Sequence, residues 1–119
     1  MGKRVEVAMI SKRAGHTYLL KGEGELIPLE YNDTDISQIS QTAIFHAKHY
    51  EQDSRANWYT VNLWSGLFVS EGTTKKKCLE EFETKRSAYL SMLNNPERVT
   101  YFKKFHEELE KLKEVENNG

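Results

Sequence analysis

The chain predicts an α+β fold: a small antiparallel sheet, in the order βββ-α-ββ-αα, with helices packed on it and a C-terminal antiparallel helix pair. Three stretches carry that prediction. Residues 4 to 31 alternate apolar and polar side chains, with glycines between the runs. Residues 58 to 71, "WYTVNLWSGLFVSE", alternate, turn at Ser65-Gly66 and alternate again. From residue 74 the period becomes helical and is broken once, at Asn94-Asn95-Pro96.

Residues 4 to 11 place Val5, Val7 and Met9 on one side of a strand and Ala8 and Ile10 on the other, so its end is covered on both faces. Residues 12 to 16 form a turn in which Gly15 can take positive φ. Residues 17 to 21 return as a second strand. Gly22 and Gly24 interrupt it, and 25 to 31 resume as a third, with Ile27, Leu29 and Tyr31 on one face. Pro28 has no backbone donor, which assigns that third strand to an edge. The Asn32-Asp33-Thr34-Asp35 run offers helix caps, and Ile36, Ile39, Ala43, Ala47 and Tyr50 follow helical spacing, so a helix is expected over about 34–51.

A two-residue turn at Ser65-Gly66 would pair Trp64 with Leu67, Leu63 with Phe68 and Val61 with Ser70. Thr73 or Thr74 caps the next helix, whose core face is Leu79, Phe82, Leu90 and Leu93, flanked by Cys78 and Tyr89. Asn95 caps a last helix opened by Pro96 and Glu97, with Val99, Phe102, Phe105, Leu109 and Leu112 on one face. The helix ends near Val115, and the tail over about 116–119 should fray. So short a link makes the two helices antiparallel neighbours, touching through Phe82, Leu90, Phe102, Phe105 and Leu109.

The 119 residues suit one domain, 1–119, with no repeat, low-complexity tract or linker. An 11% aromatic content argues against disorder, and a net charge of −1 provides no overall attraction to nucleic acid or anionic membrane. The single cysteine, Cys78, cannot form an internal disulfide, and a reduced, cytoplasmic compartment fits. No apolar run approaches the roughly 18 residues of a membrane span, so no membrane is expected as a partner.

Two features invite a functional reading. On the expected register Trp58, Asn62, Trp64 and Leu67 share the sheet face opposite Tyr59, Val61 and Phe68, and a solvated face would not normally carry two tryptophans. Such a face serves as an anchor for a protein partner or as a stacking platform for bases; the other reading is that one of the C-terminal helices covers it. Lys75, Lys76 and Lys77 open a helix whose dipole disfavours cations there, making a candidate anion site. The plainer reading of these lysines is a solvated cluster balanced by Glu80 and Glu81. The run has no P-loop spacing.

His46 and His49 stand three apart but lack further ligands, so no metal site and no cofactor are expected. Cys78 is expected to be buried and inert; if exposed, its place beside three lysines in a first helical turn would make it reactive. No catalytic constellation stands out. The sequence therefore reads as a small non-enzymatic intracellular protein that works through a protein-binding surface. Its size and compactness suggest an accessory or inhibitor-like protein of a phage or mobile element. The alternative is a nucleic-acid binder using Trp58, Trp64 and Lys75–Lys77. A homodimer through the helix pair is compatible with either.

Overall fold

In a computed structural model of the chain, which describes residues 3–13, 15–29, 38–47 and 57–118, strands β1 (Arg4–Arg13), β2 (His16–Ile27), β3 (Thr42–His46), β4 (Trp58–Asn62) and β5 (Phe68–Gly72) precede helices α1 (Lys75–Leu93) and α2 (Pro96–Asn118). The strands form one antiparallel sheet in the order β1-β2-β3-β4-β5. The expected architecture, an antiparallel sheet followed by a helix pair, is thus present, and Gly15 turns the first hairpin at φ +78. Three segments differ from the expectation.

The expected helix over 34–51 is replaced in its described part by strand β3; only residues 38 and 39 are helical. Ile36, His49 and Tyr50 lie outside the described residues. β3 is the middle strand, and Thr42, Ala43, Ile44 and Phe45 are all buried because both its faces are covered. A strand covered on both faces does not alternate. Ile39, Ala43 and Ala47 therefore satisfied a helical period by coincidence.

The second and third expected strands are one, β2, which runs through Gly22 and Gly24 to Ile27. It is an inner strand rather than an edge, and Pro28 stands just past its end, where no ladder donor is needed. The two glycines admit neighbours instead of breaking the strand. A Cβ on Gly22 would sit 2.5 Å from the Phe45 ring, and one on Gly24 2.8 Å from Val7 Cγ2.

The hairpin between β4 and β5 has a four-residue connection, Leu63 to Gly66, rather than a two-residue turn. The Asn62 amide donates to the Leu67 carbonyl (2.8 Å), and the Gly66 amide donates to the Asn62 carbonyl (2.8 Å). Gly66 takes φ +78, a conformation that favours glycine. A bulge then puts Val61 opposite Phe68 and Thr60 opposite Ser70, leaving Val69 as the extra residue.

The sheet coils. β1 and β4 are separated by two strands, yet the Ile10 amide donates to the Gly66 carbonyl at 2.8 Å. The inner face of the coil is an apolar cluster of Val7, Met9, Ala43, Phe45, Tyr59 and Val61. On the other face, α1 packs along β5 and β4, and α2 packs on α1. Phe82, Tyr89, Leu93 and Phe102 form that second cluster, with Leu90 at its margin. Leu109 is also fully buried, but it meets the Gly66 turn.

Both helices are capped as their sequences suggest. Thr74 Oγ1 accepts from the Lys77 amide (3.1 Å), and Asn95 Oδ1 accepts from the Glu97 amide (3.0 Å). α2 extends to Asn118, beyond the end expected near Val115.

Candidate binding groove

The four residues expected to share one surface do not do so. Asn62 is fully buried and holds the hairpin together. Its Oδ1 accepts from the Ser65 amide (2.9 Å) and from Ser65 Oγ (2.8 Å), and its Nδ2 donates to the Ile39 carbonyl (2.8 Å) and the Tyr89 hydroxyl (2.7 Å). Trp64 is carried off the sheet by the longer turn. Its ring stacks on His106 of α2 at 4.7 Å, and its carbonyl lies 2.7 Å from His106 Nδ1. The covering-helix reading thus describes these two residues. Trp58 is half-buried at the opposite end of β4, stacked on His46 of β3 at 4.5 Å. Leu67 alone of the four lines an open groove.

That groove, about 590 Å³, runs between β5, the end of β1 and the two helices. Its lining includes the exposed rings of Phe68 and Tyr101 and the half-buried Phe105, Leu67 and Met92. Phe68 is 47% exposed and Tyr101 54% exposed, and both lie on this one surface. Single exposed apolar residues are ordinary; several converging on a concavity mark a binding surface. Tyr101 and Phe105 meet edge to face at 4.9 Å, so the rings are mutually ordered. Phe68 is held by an edge contact to Tyr59 at 5.3 Å.

Two lysines stand at the rim. Lys12 Nζ lies 5.2 Å from the centre of the Phe105 ring and 4.0 Å from Glu108 Oε1. Lys85 Nζ lies 2.9 Å from Glu81 Oε1. Glu81 also accepts from the Glu71 backbone amide through Oε2 (2.8 Å). That bond first, and Lys85 second, hold its carboxyl below the ordinary value.

The groove was not foreseen. Tyr101 and Phe105 stand one helical turn apart on α2, but Phe68 lies more than thirty positions before them, and no local period links the strand ring to the helix pair. The one available hint was Tyr101, placed beside the apolar stripe of α2 rather than in it.

Lys75, Lys76 and Lys77 are exposed in the first turn of α1, as expected. Lys75 Nζ pairs with Glu25 Oε2 at 3.1 Å, and the Lys77 amide is taken by the Thr74 cap. Trp58 lies at the same corner, since its register partner Gly72 would put a Cβ 2.6 Å from the Cys78 amide nitrogen. Cys78 is fully buried, and burial is the main cause pushing its thiol above the ordinary value. Its environment is therefore that of an unreactive thiol. Among the described residues, no group of three or more His, Cys, Asp or Glu side chains is placed to hold a metal, and no helix is long and apolar enough to cross a membrane.

No protein-family model, curated protein or solved structure matches the chain.

Proposed function

We propose that the protein is a non-enzymatic binding module that captures a protein partner in the groove between β5 and the helix pair. The observation that carries this is the convergence of Phe68, Tyr101 and Phe105 on one concave apolar surface. Aromatic rings and methionine are enriched where proteins meet, because they bury much area for few rotatable bonds. The Lys12–Glu108 and Lys85–Glu81 pairs give the apolar groove a polar rim, the arrangement usual where proteins meet. An accessory or inhibitor-like role is one form this activity takes in a chain of this size.

The test is affinity capture from the native host with wild type, Phe68→Asp and Tyr101→Asp, each with and without nuclease. A retained protein that survives nuclease and is lost with both variants is the expected result. Retention unaffected by either substitution would overturn the groove assignment.

A nucleic-acid reading draws on the corner where Trp58 stacks beside Lys75–Lys77. It is weakened by the withdrawal of Trp64 under α2 and of Lys75 to Glu25. It requires oligonucleotide binding that weakens with salt at a log–log slope of roughly −2 for three contacts on a single strand, flattened by changing all three lysines to Gln. We expect no binding tighter than about 100 μM at physiological salt.

A further inference from the structure

The two edges of the sheet are finished differently. At the β5 edge, α1 lies alongside, and the outward Glu71 amide is taken by Glu81. Edge strands are commonly blunted in this way, by a charged side chain and a covering helix. β1 has ten residues and pairs only with β2 among the described strands. The Lys3 carbonyl accepts from the Leu26 amide, whereas the Ile10 amide points outward to Gly66. By alternation, the backbone groups of Arg4, Glu6 and Ala8 also point outward. A cleft of about 770 Å³ is lined by β1 from Arg4 to Ala8, by Lys21, Gly22 and Glu23 of β2, and by Leu63 and Lys113.

We propose that the β1 edge is a self-association site, in which two copies pair their β1 strands antiparallel about a two-fold axis at Val5. The charge pattern selects the occupant and the register. Arg4 and Glu6 are both exposed and of opposite sign; Arg4 Nε also lies 3.3 Å from Glu23 Oε1 on β2, an exposed pair that leaves the rest of the guanidinium fork for a second carboxylate. A two-fold at Val5 puts Arg4 of each copy opposite Glu6 of the other, giving two complementary pairs and about four main-chain hydrogen bonds. A two-fold at Glu6 would oppose two glutamates, which is unfavourable. A two-fold at Val7 would need the outward edge at Ile10, which Gly66 already occupies. The site is independent of the groove reading, since none of Arg4, Val5 or Glu6 lines the groove.

The test is sedimentation velocity of the full chain over a concentration series to about 1 mM. The expected result is a reversible shift from 13.9 kDa toward twice that mass. Glu6→Arg and Arg4→Glu should each raise the dissociation constant about tenfold, the size expected for two cross-strand pairs changed from attractive to repulsive. The double variant Arg4→Glu/Glu6→Arg should restore association. Both side chains are exposed, so circular dichroism should be unchanged in each variant; Arg4→Glu also removes the exposed Arg4–Glu23 pair, so its midpoint is compared with that of Glu23→Gln, which loses the same pair and should leave association intact. A wild type that stays monomeric throughout, a dimer indifferent to either reversal, or a double variant that fails to recover would each overturn the proposal.

Discussion

Strand β4 presents two kinds of interior on its two sides. Tyr59 and Val61 point into the coil, where they join Val7, Met9 and Phe45 in a cluster of apolar side chains. Thr60 and Asn62, the intervening residues, point toward the helices and are equally buried. There Thr60 Oγ1 lies 2.6 Å from Ser70 Oγ, which donates to the Cys78 carbonyl at 3.0 Å. The Tyr89 hydroxyl lies 2.7 Å from Thr42 Oγ1 and accepts from Asn62 Nδ2 at 2.7 Å. Among the described residues, Asn57 Oδ1 alone is a buried side-chain polar atom without a partner. The coil side holds by volume and shape, so it tolerates apolar exchange of similar size. The helix side holds by directed bonds, which fix where α1 and the turn sit against the sheet.

Substitutions on the two sides should fail in different ways, and the largest loss is expected on the coil side. Phe45→Ala should lower the unfolding free energy by about 3–5 kcal/mol, since the ring is almost fully buried and its neighbours close only partly over the gap. Denaturant unfolding showing a loss below about 1 kcal/mol would remove Phe45 from the core. Next comes Asn62→Leu, nearly the same size. It orphans the Ser65 amide, and each buried group left unpaired costs about 1–3 kcal/mol, so a loss of about 3 kcal/mol is expected. If the variant is as stable as wild type, the helix side is not specified by bonds.

A smaller effect is expected from pH. The folded Cys78 thiol is held above its ordinary value of 9.0, chiefly by burial, so the unfolded chain loses that proton first. The stabilisation is complete below about pH 9 and declines as pH rises above it, at up to about 1.4 kcal/mol per pH unit. Cys78→Ala should remove that part of the alkaline slope in a pH series of unfolding midpoints. An unchanged slope would refute it. The smallest loss is expected for Tyr89→Phe, about 1 kcal/mol, because Thr42 Oγ1 keeps the Ser40 carbonyl (2.7 Å) and Asn62 Nδ2 keeps that of Ile39 (2.8 Å). A loss equal to that of Asn62→Leu would show that the hydroxyl, not the amide, is the centre of the network.

The comparison also explains what was legible in the sequence. β1, both C-terminal helices and their caps could be read because each exposes one side, so its apolar residues recur with the period of the element. β3 could not, because the coil covers one face and α1 the other, so Ala43, Ile44 and Phe45 run as consecutive apolar residues that do not alternate. Asn62 was legible as a polar residue in a strand but not as the cap of a turn. The clue was Asn at the start of a turn with Gly66 four residues on, a spacing that favours a longer loop over Ser-Gly alone. That two-residue shift in the turn moved Trp64 from the sheet face to α2 and dissolved the expected tryptophan surface. The groove and the β1 edge are products of the coil, which follows from long-range closure and leaves no local mark in the chain.

The closure itself has a consequence in time. Ile10, Gly66 and Leu109 meet at one point: the Ile10 amide bonds the Gly66 carbonyl, and a Cβ on Gly66 would lie 3.1 Å from Leu109 Cδ1. The hairpins on either side can form from neighbours in sequence, but this joint must bring residues 10 and 66 together across 56 positions (66 − 10) and then receive the last helix. Closure of the joint is therefore expected late, after both hairpins. The Ile10 amide is its reporter. In pulsed hydrogen exchange during refolding it should gain protection after the amides that link β1 to β2, and an Ile10 amide protected together with theirs would mean that the coil forms in one step with its strands.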